Sequence, residues 1–293
     1  MSPESAAAAP VGLDDARTFC ENKVSRGDIG LYYSLLFAPR ARRRAAVPLY
    51  AFWLEVREIN DECSDPGVAR LKLAWWGEEL REMTAGRARH PVAVALAPVV
   101  AAFRLPDEPF FELLGALTRH VATAHYPTFD ALREHGTHTR GRLEALAARL
   151  AGYGDTEALE RVVRLGALLE LTGLLRDAGA DARRARIYLP QDDMARFDVS
   201  ADDFNAADAG GSLRALLAFE ADRLRQELQC GTALLPRADR ARLRSLVVAA
   251  ELARALLERM RREPARALHG RVALAPLRQL WTAWRAAAGT VTP

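Results

Sequence analysis

Lysine is almost missing from this 293-residue chain: Lys23 and Lys72 are the only two, and arginine supplies the rest of 41 basic residues. Against 38 acidic residues the net charge is +3, too small to imply a nucleic-acid partner. The arginine runs are short and no nucleic-acid module accompanies them, so no nucleic acid is expected. Cysteine is scarce too. Cys20, Cys63 and Cys230 lie far apart with no CxxC or Cys/His spacing, which excludes a disulfide framework or zinc site and points to a reducing compartment. Long apolar runs are absent. The longest, PVAVALAPVVAAF at 91–103, is too short and proline-broken to span a bilayer. The opening MSPESAAAAPVGLDD lacks the basic start of a signal peptide. These absences place the chain in the cytoplasm, with peripheral contact at a membrane surface the one membrane role left open.

Strand-like alternation is also scarce, and helical periodicity is everywhere. In SLRALLAFEADRLRQEL, Ser212 is a candidate N-cap, and Leu213, Leu216, Leu217, Leu224 and Leu228 follow at three- and four-residue spacing. Segments 159–181 and 246–263 repeat the pattern. Breaks at SDPG (64–67), RARHP (87–91), LPDEP (105–109), HYPTF (125–129), GYGD (152–155), YLPQDD (188–193) and ADAGG (207–211) leave short connections and no long linker. The expectation is one all-α domain of roughly eight to ten helices. It would span residues 19–287, after an unstructured segment at 1–18 and before a tail at 288–293.

Chemistry concentrates at 170–192, ELTGLLRDAGADARRARIYLPQD. Asp177 and Asp181 are four apart, so on a helix their carboxylates stack about 6 Å apart on one face. Such a pair suits Mg²⁺, a hard ion that takes oxygen ligands and accompanies diphosphate. Arg176, Arg183, Arg184 and Arg186 follow closely enough to clamp phosphate oxygens. A second acidic helix, YAFWLEVREINDECSD at 50–65, carries Glu55, Glu58, Asp61 and Glu62, with Arg57 interrupting. Other features read as structural. Trp75, Trp76, Trp281 and Trp284 look like core and rim packing, and ARRR at 41–44 like a solvated helix start. His120, His125, His135 and His138 have no cysteine to complete a familiar metal set.

The order YYSLLFAPRARRRAAVPLYAF, the acidic helix, SDPGVARLKLAWWGEEL, YPTF, LLRDAGADARRARIYLPQDDMARF and LWTAWR resembles the squalene/phytoene synthase family. Within it, the resemblance is closest to bacterial presqualene diphosphate synthases of hopanoid and squalene pathways. It implies an isoprenoid synthase-type helical bundle around a central cavity, where two aspartate-rich helices hold Mg²⁺. The implied reaction joins two farnesyl diphosphates head to head into presqualene diphosphate. Metal would stabilise the leaving diphosphate, and a dry cavity would protect the allylic cation. No NADPH is expected for that step, and no GxGxxG-type loop is present. Carried over by position, Asp61, Asp177 and Asp181 become metal and catalytic residues. Arg176, Arg186, Tyr33 and Tyr188 become substrate contacts, with Glu58 and Glu62 as a shifted metal-binding pair.

The departures are many. The family's first motif, CRxxDDxxDE, is here Trp53, Leu54, Arg57, Glu58, Asp61 and Glu62. A guanidinium cannot ligate Mg²⁺ and puts fixed positive charge where the ion belongs. Glu170 and Gly173 replace the usual glutamine and asparagine, Gly30–Leu31 the usual Ser-Phe, and His135–Gly136 the usual Tyr-Cys. Two acidic positions before YPTF correspond to Gly115 and His120. The expected function is therefore a head-to-head prenyl diphosphate synthase with impaired or altered activity. The alternative is a non-catalytic relative serving as an isoprenoid-binding, lipid-binding or assembly module. Arg57 paired to Asp177 or Asp181 would favour the latter.

Overall fold

The computed structural model describes residues 11–123, 125–206, 210–270 and 272–290. Among them run fifteen α-helical segments: α1 Leu13–Gly27, α2 Ile29–Leu36, α3 Arg40–Glu62, α4 Pro66–Thr84, α5 Pro91–Phe103, α6 Glu108–Ala122, α7 Phe129–Gly136 and α8 Arg142–Leu150. There follow α9 Thr156–Ala182, α10 Gln191–Arg196, α11 Gly211–Ala233, α12 Arg237–Arg242, α13 Arg244–Arg262, α14 Arg266–His269 and α15 Pro276–Gly289. A π turn, Thr137–Gly141, joins α7 to α8. The only strand-like pairing among the described residues is one bridge between Tyr126 and Pro190.

Local chemistry starts these helices. Asp65 accepts from the Gly67 amide at 2.6 Å, and Pro66 opens α4. Thr128 caps α7 and Asp155 caps α9 through the Ala131 and Ala158 amides, and Asp28 caps α2 through Leu31 at 3.0 Å. Each satisfies an amide that the helix itself leaves unpaired.

The expectation of eight to ten helices is low because short pieces such as α12 and α14 have no periodicity to detect. The Ser212 cap is also corrected: α11 starts two residues earlier than that cap implies, behind Gly210, with no side-chain cap. The α11 leucine stripe is buried as expected. The segment expected to lack structure at 1–18 is helical from Leu13, and residues 1–10 lie outside the described residues. The helix α1 is easy to miss because its buried stripe is small, Ala16, Cys20 and Val24. At the other end α15 runs to Gly289, past the expected domain limit of 287.

Two apolar clusters divide the bundle. Leu49, Phe52, Trp53, Leu73, Phe110 and Leu113 anchor one, built from the first helices. Leu165, Leu213, Leu217, Leu224 and Leu257 anchor the other, built around α9, α11 and α13. The long helix α9 passes close to the π turn, where a Cβ on Gly166 would lie 2.8 Å from the Arg140 carbonyl oxygen. That close approach holds the Arg140 backbone against the middle of α9, and the Arg140 side chain borders the same cavity as Glu170 and Arg176.

Candidate functional site

A cavity of about 280 Å³ opens between α2, α3, α9, α13 and α15. Its apolar wall includes Leu117, Leu169, Leu174, Leu252, Leu256 and Leu274. Its polar end holds four arginines, Arg26, Arg57, Arg140 and Arg176, and five acids, Asp28, Asp61, Glu170, Asp177 and Asp181. The two acidic helices face each other across it, and Asp61, Asp177, Asp181 and Arg176 lie along the same cavity.

Arg57 lies at the centre of that end. Its Nη2 is 3.3 Å from Asp177 Oδ2, its Nε 3.3 Å from Asp61 Oδ2 and its Nη1 4.0 Å from Asp28 Oδ2. Arg176 grips the same Asp177 from the other side, Nε to Oδ1 at 2.9 Å. Burial works against the Arg57 charge, but Asp61, Glu170, Asp28 and Asp177 overcome it and hold the proton more firmly than usual. Burial also opposes ionisation of Asp28, yet Arg176, the Leu31 amide, Arg57 and Arg140 keep it below the usual carboxylate range.

The remaining acids respond differently. Burial, reinforced by Asp61 and Asp177, pushes Asp181 up to about 7. Burial raises Glu170 as well, although Arg57 and Arg140 pull the other way. Two of the five carboxyls are thus biased toward their neutral forms, while Arg57 stays charged.

A second, more open cavity of about 380 Å³ lies on the outer side of this network, toward Glu58, Glu62, Arg184 and Gly270. The two spaces share Gly27, Arg57, Asp61, Arg176, Asp177 and Asp181. The ion-pair network is therefore a septum between two cavities.

The other expected site residues are placed elsewhere. Glu58 pairs with Lys23 of α1, which also holds Glu55 at 3.0 Å, so the shifted pair Glu58/Glu62 is partly neutralised from outside. Arg186 donates to the carbonyls of Asn60 at 2.8 Å and Cys63 at 3.3 Å, closing the C-terminus of α3. Tyr33 packs against Val248, Leu252, Ala283 and Ala287. Tyr188 stacks on His120, ring centroids 4.2 Å apart, and lines a separate small cavity with Phe129, Leu174 and Glu220.

His120, which lines the cavity, belongs to an aromatic cluster behind its wall. His120 Nδ1 is 2.8 Å from the Tyr126 hydroxyl, and the His135 ring stacks on it at 4.3 Å. Burial drives both imidazoles to the neutral form, His135 down to about 3 and His120 also well below its usual value.

Several site residues carried no sequence signal of their own. Asp28 belongs to none of the motifs singled out in the sequence. Arg140 is tethered by Glu144 at 3.3 Å, and Tyr50 donates to the same carboxylate at 2.7 Å. The i, i+4 spacing of Arg140 and Glu144 is visible in the sequence, but Tyr50 is 94 residues away. Asn60 Oδ1 and Gln279 Oε1 border the chamber and are buried without a partner, so a donor from a ligand or water would satisfy each.

The fold and the opposed acidic helices define an isoprenoid synthase-type bundle. The squalene/phytoene synthase family matches residues 24–278, and the chain belongs to it. Phytoene synthase of Mycobacterium bovis is 29% identical over 283 residues, covering 96% of this chain and 93% of that protein. The crystal structure of squalene synthase HpnC from Alicyclobacillus acidocaldarius is similar at TM-score 0.72 and 28% identity, covering 87% of this chain and 96% of that one. A dehydrosqualene synthase in complex with ligand shares the fold at TM-score 0.80 and 21% identity, covering 94% and 96%.

Members of this family are typically divalent-metal-dependent prenyltransferases. The residues here do not fit that ion. Asp61 and Asp177 already neutralise Arg57, and Asp177 is shared with Arg176. Among the described residues no group of three or more His, Cys, Asp or Glu is placed to hold a metal.

Proposed function

We propose that this protein binds a prenyl diphosphate, farnesyl diphosphate in the first instance, and that its head-to-head condensation is impaired or altered. The observation that carries the reading is Arg57 paired to both Asp61 and Asp177. A guanidinium held there supplies the positive charge that a metal would supply, and its fork matches phosphate oxygens. Arg176 and Arg140 border the same space. The diphosphate would take over the Arg57 and Arg176 contacts from Asp177, and the chain would lie along the leucine wall.

Chamber size supports the same reading. About 280 Å³ sits just under the roughly 300–1,000 Å³ of pockets that enclose drug-sized ligands. One prenyl chain is a reasonable fit, whereas two C15 chains side by side are not. A second reading rests on the same pairs: the network is a structural core, and the fold serves as an assembly module.

Titration with farnesyl diphosphate, followed by product analysis, separates these readings. Binding of similar strength in EDTA and in Mg²⁺, without release of presqualene diphosphate, is the expected outcome. Efficient Mg²⁺-dependent release of presqualene diphosphate overturns the proposal in favour of an ordinary synthase. No binding in either buffer favours the assembly module. Peripheral membrane contact suits an isoprenoid ligand; no helix among the described residues is long and apolar enough to cross a membrane.

A further inference from the structure

The tryptophans read as core and rim packing divide into two kinds. Trp76 is buried, but Trp281 and Trp284 are 54% and 56% exposed, beside Leu277 at 81% and Leu280 at 38%. Their spacing puts all four on one face of α15, while Gln279, Ala283 and Ala287 turn inward. Large apolar side chains grouped in the open mark a site of contact rather than ordinary surface.

The charge around this face identifies the contact. From Pro264 to Pro293 the sequence has four arginines, Arg266, Arg271, Arg278 and Arg285, and no aspartate or glutamate. Arg278 and Arg285 are exposed on α15 itself. The Arg285 guanidinium lies 4.7 Å over the Trp281 ring, so its charge stands at the edge of the aromatic face. Tryptophan with arginine at its rim is the composition of a helix lying in a lipid headgroup layer.

The other exposed apolar group differs in charge. Val68, Leu71 and Trp75 on α4 are also in the open, but they share a groove with Glu55, Glu58 and Glu62, whose charge Lys72 and Lys23 offset only in part. Anionic lipid would repel that face and attract the one on α15.

Position adds a third argument. The inner side of α15 contributes Gln279 to the chamber wall, and Leu274 just before the helix lines it too. The neighbouring α2 presents Ile29 and Tyr32 in the open, and Ile29 also borders the chamber. The apolar face thus lies across one helix from the apolar end of the cavity.

We infer that the Leu277/Leu280/Trp281/Trp284 face of α15 docks on an anionic lipid bilayer, with Arg278 and Arg285 at the headgroups. This gives a surface and a lipid chemistry to the membrane contact proposed above. It does not depend on whether the cavity condenses its ligand or only binds it.

Co-sedimentation of the full chain with phosphatidylcholine vesicles, with or without about 30 mol % phosphatidylglycerol, tests it. Binding should need the anionic lipid, weaken with salt, and blue-shift tryptophan emission. The double variant Trp281→Ser/Trp284→Ser should bind at least about tenfold more weakly. Arg278→Glu/Arg285→Glu should lose the preference for phosphatidylglycerol, and Trp75→Ser should bind like the parent. Farnesyl diphosphate affinity in vesicle-free buffer should be unchanged in the tryptophan variant, which also shows that it is folded. Absence of vesicle binding by the parent, or equal binding by the tryptophan variant, overturns the docking proposal while leaving the ligand reading intact. A parent dimer that this variant converts to monomer, with no vesicle binding, overturns it in favour of a second copy of the chain. Loss of farnesyl diphosphate binding with vesicle binding retained would strike the cavity reading alone.

Discussion

At the residue scale, Arg57 decides how the acidic helices behave. Buried ion pairs are weak evidence of net stability, but removing one partner strands the others. Arg57→Ala leaves Asp28, Asp61 and Asp177 without their central cation, and about 3–5 kcal/mol of stability should be lost. The same variant should gain a metal response: MgCl2 should raise its melting temperature and leave the parent's unchanged. Thermal unfolding with and without Mg²⁺ checks both, and a parent equally stabilised by Mg²⁺ would refute the account of the septum. Arg57→Asp should gain the metal response without gaining presqualene diphosphate synthesis, because Leu54, Gly173 and His135 still depart from the family pattern. In the sequence, Arg176, Asp177 and Asp181 are readable from spacing alone, since helix geometry fixes i, i+4 neighbours. The pairing of Arg57 with Asp177 is not, because it joins residues 120 positions apart.

At the element scale, the crossing of α9 with α14 shapes the chamber. A Cβ on Gly179 would sit 2.5 Å from the Ala267 carbonyl oxygen and from Leu268 backbone atoms, and backbone cannot swing aside. Arg183 ties the same corner by donating to the Leu268 carbonyl at 2.9 Å. Gly179→Ala should cost about 1–3 kcal/mol by overpacking. It should also weaken farnesyl diphosphate binding, because Val272, Ala273 and Leu274 follow α14 directly into the chamber wall. Urea titration and ligand titration of the variant measure the two effects. Unchanged values for both would show that α14 shifts freely. Long amphipathic helices such as α9, α11 and α13 were legible because their leucines repeat over many turns. The tryptophans of α15 were read as core and rim packing, and how far they stand in the open was not legible. Periodicity shows that Trp281 and Trp284 share a face, not whether protein covers that face.

For the whole molecule, the buried titratable groups set how stability varies with pH. His120 and His135 are held neutral by burial. A base whose pKa is lowered by folding stabilises above its unfolded value, near 6.5, and loses that contribution as pH falls. Together the two histidines contribute a slope of about 2.7 kcal/mol per pH unit below 6.5. Asp181, raised to about 7, acts with the opposite sign, losing about 1.4 kcal/mol per unit as pH rises from about 4 to about 7. Glu220, raised to about 8, and Glu170, raised by burial, act in the same direction as Asp181, so the carboxyls offset the histidines and single-residue variants isolate each contribution. Urea unfolding of parent and variants across pH 4.5–8 separates the two signs. Relative to the parent, His135→Gln should gain stability as pH falls below 6.5, and Asp181→Asn should raise stability near pH 8 while changing little at pH 4.5. A His135→Gln curve parallel to the parent's would contradict the burial of that histidine. Sequence reasoning reached the all-α bundle because hydrophobic pattern is a property of the whole chain. It missed the internal pH couple because neutral burial of a histidine is decided by packing partners.

The septum has one more consequence. To part Arg57 and Arg176 from Asp177, an incoming group must offer more negative charge than the carboxylate it displaces. A prenyl alcohol offers none, a monoanionic head only matches, and a diphosphate exceeds it. Under the proposed reading, the network acts as a charge comparator at the edge of an apolar chamber, sorting ligands by head group.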